Sequence, residues 1–181
     1  MNQESAATPR VGWHFLLRHP AHLIALGGGS GLAPRAPGTA GTLAGWAAFV
    51  LLERAFAPLP WPALLIAALL LGVWACTVCA RHMAVADPGA IVWDEIVAFW
   101  LVLWWIAPAG GLMQLLAFAL FRYFDAAKPG PVRWADRLFK PAPGAQIGWR
   151  QGLGILLDDL VAAACTLVLM WPLQMLWKSW T

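Results

Sequence analysis

Charge is scarce in this chain. Asp, Glu, Lys and Arg make up 12% of its 181 residues, against 61% hydrophobic, and mean hydropathy is +0.67. A soluble globule carries about twice that share of charge, so this class is excluded. Cysteine is scarce too: Cys76, Cys79 and Cys165 all lie in apolar runs. Cys76 and Cys79 form a C-x-x-C with no evident metal partner, so they read as small apolar packing, not redox or zinc chemistry. The first forty residues lack the continuous apolar core and cleavage-like site of a secretory signal peptide. The net charge of +3 is too small to call for a nucleic acid partner.

What is present is apolar sequence in five runs, Leu43–Ala57, Trp61–Ala80, Ile91–Ala107, Leu112–Phe124 and Leu160–Trp177, with thirteen tryptophans suited to lipid interfaces. About 20 residues are needed to cross a bilayer core. The second and fifth runs meet or approach that length. The others are short, so tilting, local thinning or incomplete crossing is expected. The expected fold is all-α, a multi-pass helical bundle of four to five apolar helices with its loops gathered at the cytoplasmic face. Five crossings from a cytoplasmic N-terminus put ten cations inside (Arg10, Arg18, Arg35, Arg81, Arg122, Lys128, Arg133, Arg137, Lys140 and Arg150) and two, Arg54 and Lys178, outside. That is a strong positive-inside bias. Residues 1–22 read as a polar tail or surface helix, and 23–181 as a single membrane-embedded domain. His14, His19 and His22 read as scattered interface residues.

Glycine and proline punctuate Ala25–Gly45, which reads as an irregular loop feeding a helix near Leu43 with Thr42 as N-cap. Such a loop offers backbone donors to phosphate, although no Lys follows as in a P-loop. Asp94 and Glu95 open one apolar run, and Asp158 and Asp159 another. Acidic groups heading into lipid are expensive and usually functional. Asp125 falls at the end of a helix that Lys128-Pro129 and Gly130-Pro131 terminate. Leu138–Gln151 reads as a surface loop.

The five-crossing topology gathers Asp94, Glu95, Asp125, Asp158 and Asp159 at one membrane surface. So many carboxylates repel unless hard cations sit among them, and Mg²⁺ suits oxygen ligands completed by substrate phosphate. Lys128, Arg133, Arg137 and Arg122 add cations matched to phosphate oxygens. Together these parts point to metal-assisted phosphoryl chemistry on a lipid headgroup. Other phosphatase chemistries lack their motifs: no Arg stands six positions after Cys76 or Cys79, and there is no Asp-x-Asp-x-Thr and no Ser-Gly-His.

Four blocks, Ser30-Gly-Leu-x-Pro-x-Ala-Pro-Gly-Thr-x-Gly-Thr-Leu-Ala, Ile91-Val-x-Asp-Glu, Phe121-Arg-x-x-Asp-x-x-Lys-Pro-x-Pro with Asp136-Arg137, and Gly154-Ile-x-x-Asp-Asp, occur in an order that resembles the phosphatidylglycerophosphatase A family. The resemblance runs from about Leu23 to Ala164. It implies a bacterial inner-membrane enzyme that removes the phosphate of phosphatidylglycerol phosphate with magnesium. Asp94, Glu95, Asp158 and Asp159 are then the expected metal ligands, with Asp87 and Asp125 as further candidates and Asp125 alternatively a base. Lys128, Arg133, Arg137, Arg122, Ser30, Thr39, Gly41 and Thr42 are the expected phosphate contacts. Two departures stand out: Gln151-Gly-Leu-Gly-Ile-Leu replaces the family's Gly-Gly-x-Gly-Ile-Met, and Phe139–Trp149 looks like an insertion. Two other classes compete. A phosphoalcohol transferase would carry Asp-Gly-x-x-Ala-Arg, which is absent. An ion-coupled transporter or scaffold would place acids along the spans, not at one surface.

Overall fold

The structure is a computed structural model describing residues 11–140 and 146–180, the side chains of 177–180 excepted. Among the described residues it is all-helical: α1 Trp13–Leu17, α2 Pro20–Ala25, α3 Pro37–Phe56, α4 Trp61–Met83, α5 Trp93–Ile106, α6 Gly111–Ala127, α7 Pro131–Leu138 and α8 Trp149–Trp180, with a 3-10 segment Gly27–Leu32. The chain is a helical membrane protein. α4 and the Trp149–Leu176 part of α8 are long and apolar enough to cross a bilayer. Leu70 on α4 and Val168 on α8 are 69% and 71% exposed, as lipid-facing side chains must be.

The centre of the bundle is α5. Val97, Phe99, Val102, Leu103 and Ile106 are buried there against Phe121 and Ala117 of α6 and Ala162, Ala163 and Met170 of α8. Lipid tails are as apolar as leucine, so close packing of small residues does more here than exclusion of water. Glycines carry that packing. A Cβ on Gly41 would stand 2.5 Å from Cβ of Val92, and one on Gly152 would stand 2.1 Å from Thr77 Oγ1. The first seats α3 on α5, and the second seats α8 on α4.

This packing corrects the expectation of an irregular Ala25–Gly45. The helix starts at Pro37, not near Leu43, and Thr42 lies in its second turn, not at its cap. Proline at the first helical position loses no hydrogen bond, since that amide has no partner within a helix. Gly38, Gly41 and Gly45 recur at helical spacing on one face, where contact with Glu95, Val92 and Ile96 outweighs their low propensity. Likewise, the expected surface loop Leu138–Gln151 ends earlier, because α8 begins at Trp149. Part of the apparent insertion, 141–145, lies outside the described residues. Beyond it, Arg81 Nε donates to Ile147 O at 2.7 Å.

At residue 22 the chain is inside α2, whose Ala21, His22 and Ala25 are buried. Residues 1–10 lie outside the described part. Cys76 and Cys79 are buried free thiols in the packing of α4.

Helix ends are not level. α5 has 14 residues, about 21 Å, whereas α4 has 23, about 35 Å. Trp93, at the start of α5, donates Nε1 to Ala68 O, so α5 begins beside the first half of α4. Between Ala68 and Met83, α4 continues for about 22 Å past that point. α2 hangs beside this extension, tied to α5 by Val92 N donating to Ala25 O at 2.9 Å.

Candidate active site

The starts of α3 and α5, the end of α6 and the third turn of α8 meet at one level. One oxygen from each of Asp94, Glu95 and Asp159 lies within 4.8 Å of the others. Asp94 Oδ1, Glu95 Oε2 and Asp159 Oδ2 are buried with no hydrogen-bond partner. Buried carboxylate oxygens without donors are costly, and three carboxylates gathered this closely more so. A hard cation bound by oxygen satisfies all three, so the donor set fits magnesium or a similar ion.

The cationic side is held by α6. Arg122 pairs with Asp125 one turn on, and its Nη1 stands 3.8 Å from Glu95 Oε1. The same nitrogen donates to Thr42 Oγ1 at 3.2 Å, and Thr42 in turn donates to Gly38 O at 2.8 Å. A Cβ on Gly38 would lie 2.3 Å from Glu95 Oε1 and 3.1 Å from Arg122. Only glycine therefore lets α3 approach the acids so closely. Asp125 is also a charged neighbour of Asp159 and Glu95.

Asp158 does not join the three-carboxylate group. Neighbouring residues on a helix project about 100° apart, so the pair Asp158-Asp159 splits. Asp159 turns to Asp94 and Glu95, while Asp158 Oδ2 accepts from Lys128 Nζ at 2.6 Å. Lys128 also donates to Asp136 Oδ1 at 2.6 Å, and Lys140 donates to Asp136 Oδ2 at 2.5 Å. Lys128 sits just past α6 with a left-handed backbone, φ 45°, which swings its side chain toward α7 and α8. Burial pulls the Lys128 ammonium down, but the hydrogen bonds it donates to Asp136 and Asp158 outweigh this and raise its pKa. Burial also raises Asp136, yet Lys128 and Lys140 together hold it below the usual carboxylate value. Asp136 carries no role in the sequence reading; its spacing of four to Lys140 and eight to Lys128 is the signal that was there to be used.

The other expected contacts fall as follows. Asp87 is exposed and lines a cleft of about 30 Å³, room for one water, with Asp136, Asp158, Lys140 and Gln151. Arg133 and Arg137 are exposed on α7. Ser30 Oγ donates to Gly27 O and so secures its own turn. Thr39 is half-buried in the first turn of α3. The amides of Gly41 and Thr42 lie past that turn and are taken up by the helix ladder. They are not the free loop donors expected.

The family model for phosphatidylglycerophosphatase A matches residues 23–174. Phosphatidylglycerophosphatase A of Haemophilus influenzae is 37% identical over 158 residues, 87% of this chain and 91% of that one. The Escherichia coli K12 protein of the same name is 34% identical over 169 residues, 88% of this chain and 90% of that one. No solved structure matches.

Proposed function

The chain belongs to the phosphatidylglycerophosphatase A family and is an enzyme of the phosphatase class, and from that premise we propose that it hydrolyses the phosphomonoester of phosphatidylglycerol phosphate, using Mg²⁺. The observation that carries the metal reading is the trio of buried, partnerless oxygens on Asp94, Glu95 and Asp159. These three residues would hold the ion, with Asp125 beside them. When bound, magnesium supplies neutralisation of phosphate charge and a more acidic water.

The chain's own residues do the rest. Arg122, fixed by Asp125, Glu95 and Thr42, presents a guanidinium at the edge of the acids, where it can grip phosphate oxygens. Gly38 lets the first turn of α3 close against Glu95 and Arg122 and so holds these two side chains in place. Lys128 orders Asp158 and Asp136 and thereby fixes α7 against α8. Exposed Arg133 and Arg137 attract the anionic headgroup over a longer range. The finer location follows the charges: the bacterial inner membrane, crossed several times, with this end cytoplasmic. The partners are the bilayer and the lipid substrate, with no nucleic acid.

The test is release of inorganic phosphate from phosphatidylglycerol phosphate by the purified chain. EDTA should abolish release, and Mg²⁺ should restore it. Asp94→Asn, Glu95→Gln and Asp159→Asn should each lower turnover by about 100-fold or more, and each should lose the rise in melting temperature that Mg²⁺ gives the wild type. Full activity in chelator, or in any two of these variants, refutes the shared metal site.

A further inference from the structure

We propose that a groove between α1, α2 and α4, lined by Phe15, Arg18, His19, His22 and His82, is a second anion site that binds a phosphate group together with a proton. It lies apart from the carboxylates: among the described residues no hydrogen bond or ion pair joins the two groups. The inference does not depend on the hydrolytic reading.

The histidines are not scattered. His22 is buried, stacks on Phe15 at 4.0 Å, and bonds Phe15 O through Nδ1 at 2.7 Å. Its Nε2 bonds His82 Nδ1 at 2.7 Å. A carbonyl can only accept, so His22 Nδ1 carries hydrogen. Neutral His22 therefore offers a bare Nε2, and the shared hydrogen sits on His82 Nδ1. His19 Nδ1 accepts from Ala21 N at 3.1 Å, which puts its own hydrogen on Nε2. Every tautomer is thus set by backbone or by a neighbour.

This chain of bonds dictates where the next proton goes. A proton on His22 Nε2 would face the hydrogen on His82 and break the bond. Burial holds the His22 pKa below the usual value, and His82, His19 and Arg18 push it further down against the Phe15 carbonyl. His82 is exposed and can take a proton on Nε2 while keeping its bond to His22. The groove then presents the Arg18 guanidinium, His19 Nε2–H and a cationic His82, with no acidic side chain among its described lining residues. Its volume of about 510 Å³ accommodates a phosphate with substituents. His14 is a further titratable group, exposed in the adjoining groove with Arg18, and Arg81 adjoins His82 at the end of α4. The flanking Trp13 and Leu17 are 65% and 75% exposed, which suits a bilayer interface. The phosphate can therefore come from an anionic lipid headgroup or from free inorganic phosphate.

The experiment follows the side-chain ¹⁵N signals of the histidines in the full-length chain, titrated from about pH 8 to about pH 5 across the ordinary histidine range. The probes are inorganic phosphate and short-chain dihexanoyl phosphatidylglycerol, with chloride at equal ionic strength as control. Either probe should raise the midpoint of His82 by about one unit, which by linkage is about tenfold tighter anion binding on protonation. Chloride should not. Arg18→Gln, a surface change expected to leave the melting temperature unaltered, should abolish the rise. His82→Gln should remove the pH dependence of the response at His19. A response to both probes assigns the site to the phosphate group itself, and a response to the lipid alone assigns it to a headgroup. No response to either, an equal response to chloride, or an unchanged response in Arg18→Gln overturns the proposal.

Discussion

Replacing Lys128 by methionine removes the one ammonium that separates Asp136 from Asp158. Both oxygens lie 2.6 Å from Nζ, so they are at most 5.2 Å apart. Their side chains are only 10% and 11% exposed, so water screens them little. At about 5 Å and an effective dielectric of about 20, two bare carboxylates repel by about 3 kcal/mol. Lys140 still pairs with Asp136, so Lys128→Met should cost at most about 3 kcal/mol near neutral pH, within the range for breaking a partly buried ion pair. For a chain of this size that is a fall of at most about 6–12 °C in Tm. The loss has a pH signature. Such repulsion raises one of the two carboxylates above its usual value. As pH falls through that raised value, the variant takes up a proton and regains stability. The wild type behaves otherwise. Asp136 is depressed, so its contribution is full above the unfolded value near 3.9 and is lost only as pH falls through the lower folded value. Lys128 is raised, so its contribution is full below the unfolded value near 10.4 and is lost as pH rises through the higher folded value. Between about pH 5 and pH 7.5 these two groups add no slope to the wild type, so the variant should gain stability relative to the wild type as pH falls. Melting of both proteins in detergent across that range is the assay. An unchanged Tm with a loss confined to turnover would refute the structural role and return Lys128 to the substrate phosphate.

Gly38→Ala places a methyl group against Glu95 Oε1 and Arg122, and should lower phosphate release by about tenfold or more at nearly wild-type Tm; normal turnover would show that the close approach of α3 is dispensable. Cysteines introduced at Pro60 and Lys140, at opposite ends of the bundle, should label from opposite sides of the membrane; labelling of both from the cytoplasm would end the multi-pass topology.

The sequence makes the apolar runs, the carboxylate doublets and the family blocks legible, because each is a local pattern. It hides what depends on contact between elements. Glycine and proline argue for a loop at 37–45 until Val92 and Ile96 are seen packed against that glycine face. Asp125 is three residues from both Arg122 and Lys128, and nothing local decides between them. The left-handed end of α6 turns Lys128 away, so Arg122 is the partner. The bond between His22 and His82 joins residues 60 apart and has no trace in spacing.

The shortness of α5 sets a vertical register for the chemistry. About 17 Å of bundle separates its acid pair from its far end, whereas the hydrocarbon of an ordinary bilayer is about 30 Å thick. With Ile106 at the distal boundary, Asp94 and Glu95 sit about 13 Å beneath the proximal one. A lipid phosphate must then sink to reach them, or the bilayer must dimple around α5 while α4 and α8 hold it at full thickness on the other side. Either way, the host membrane is part of the reaction coordinate. Turnover in nanodiscs should rise as the acyl chains shorten, and an enzyme indifferent to chain length would mean that the acids lie at the surface after all.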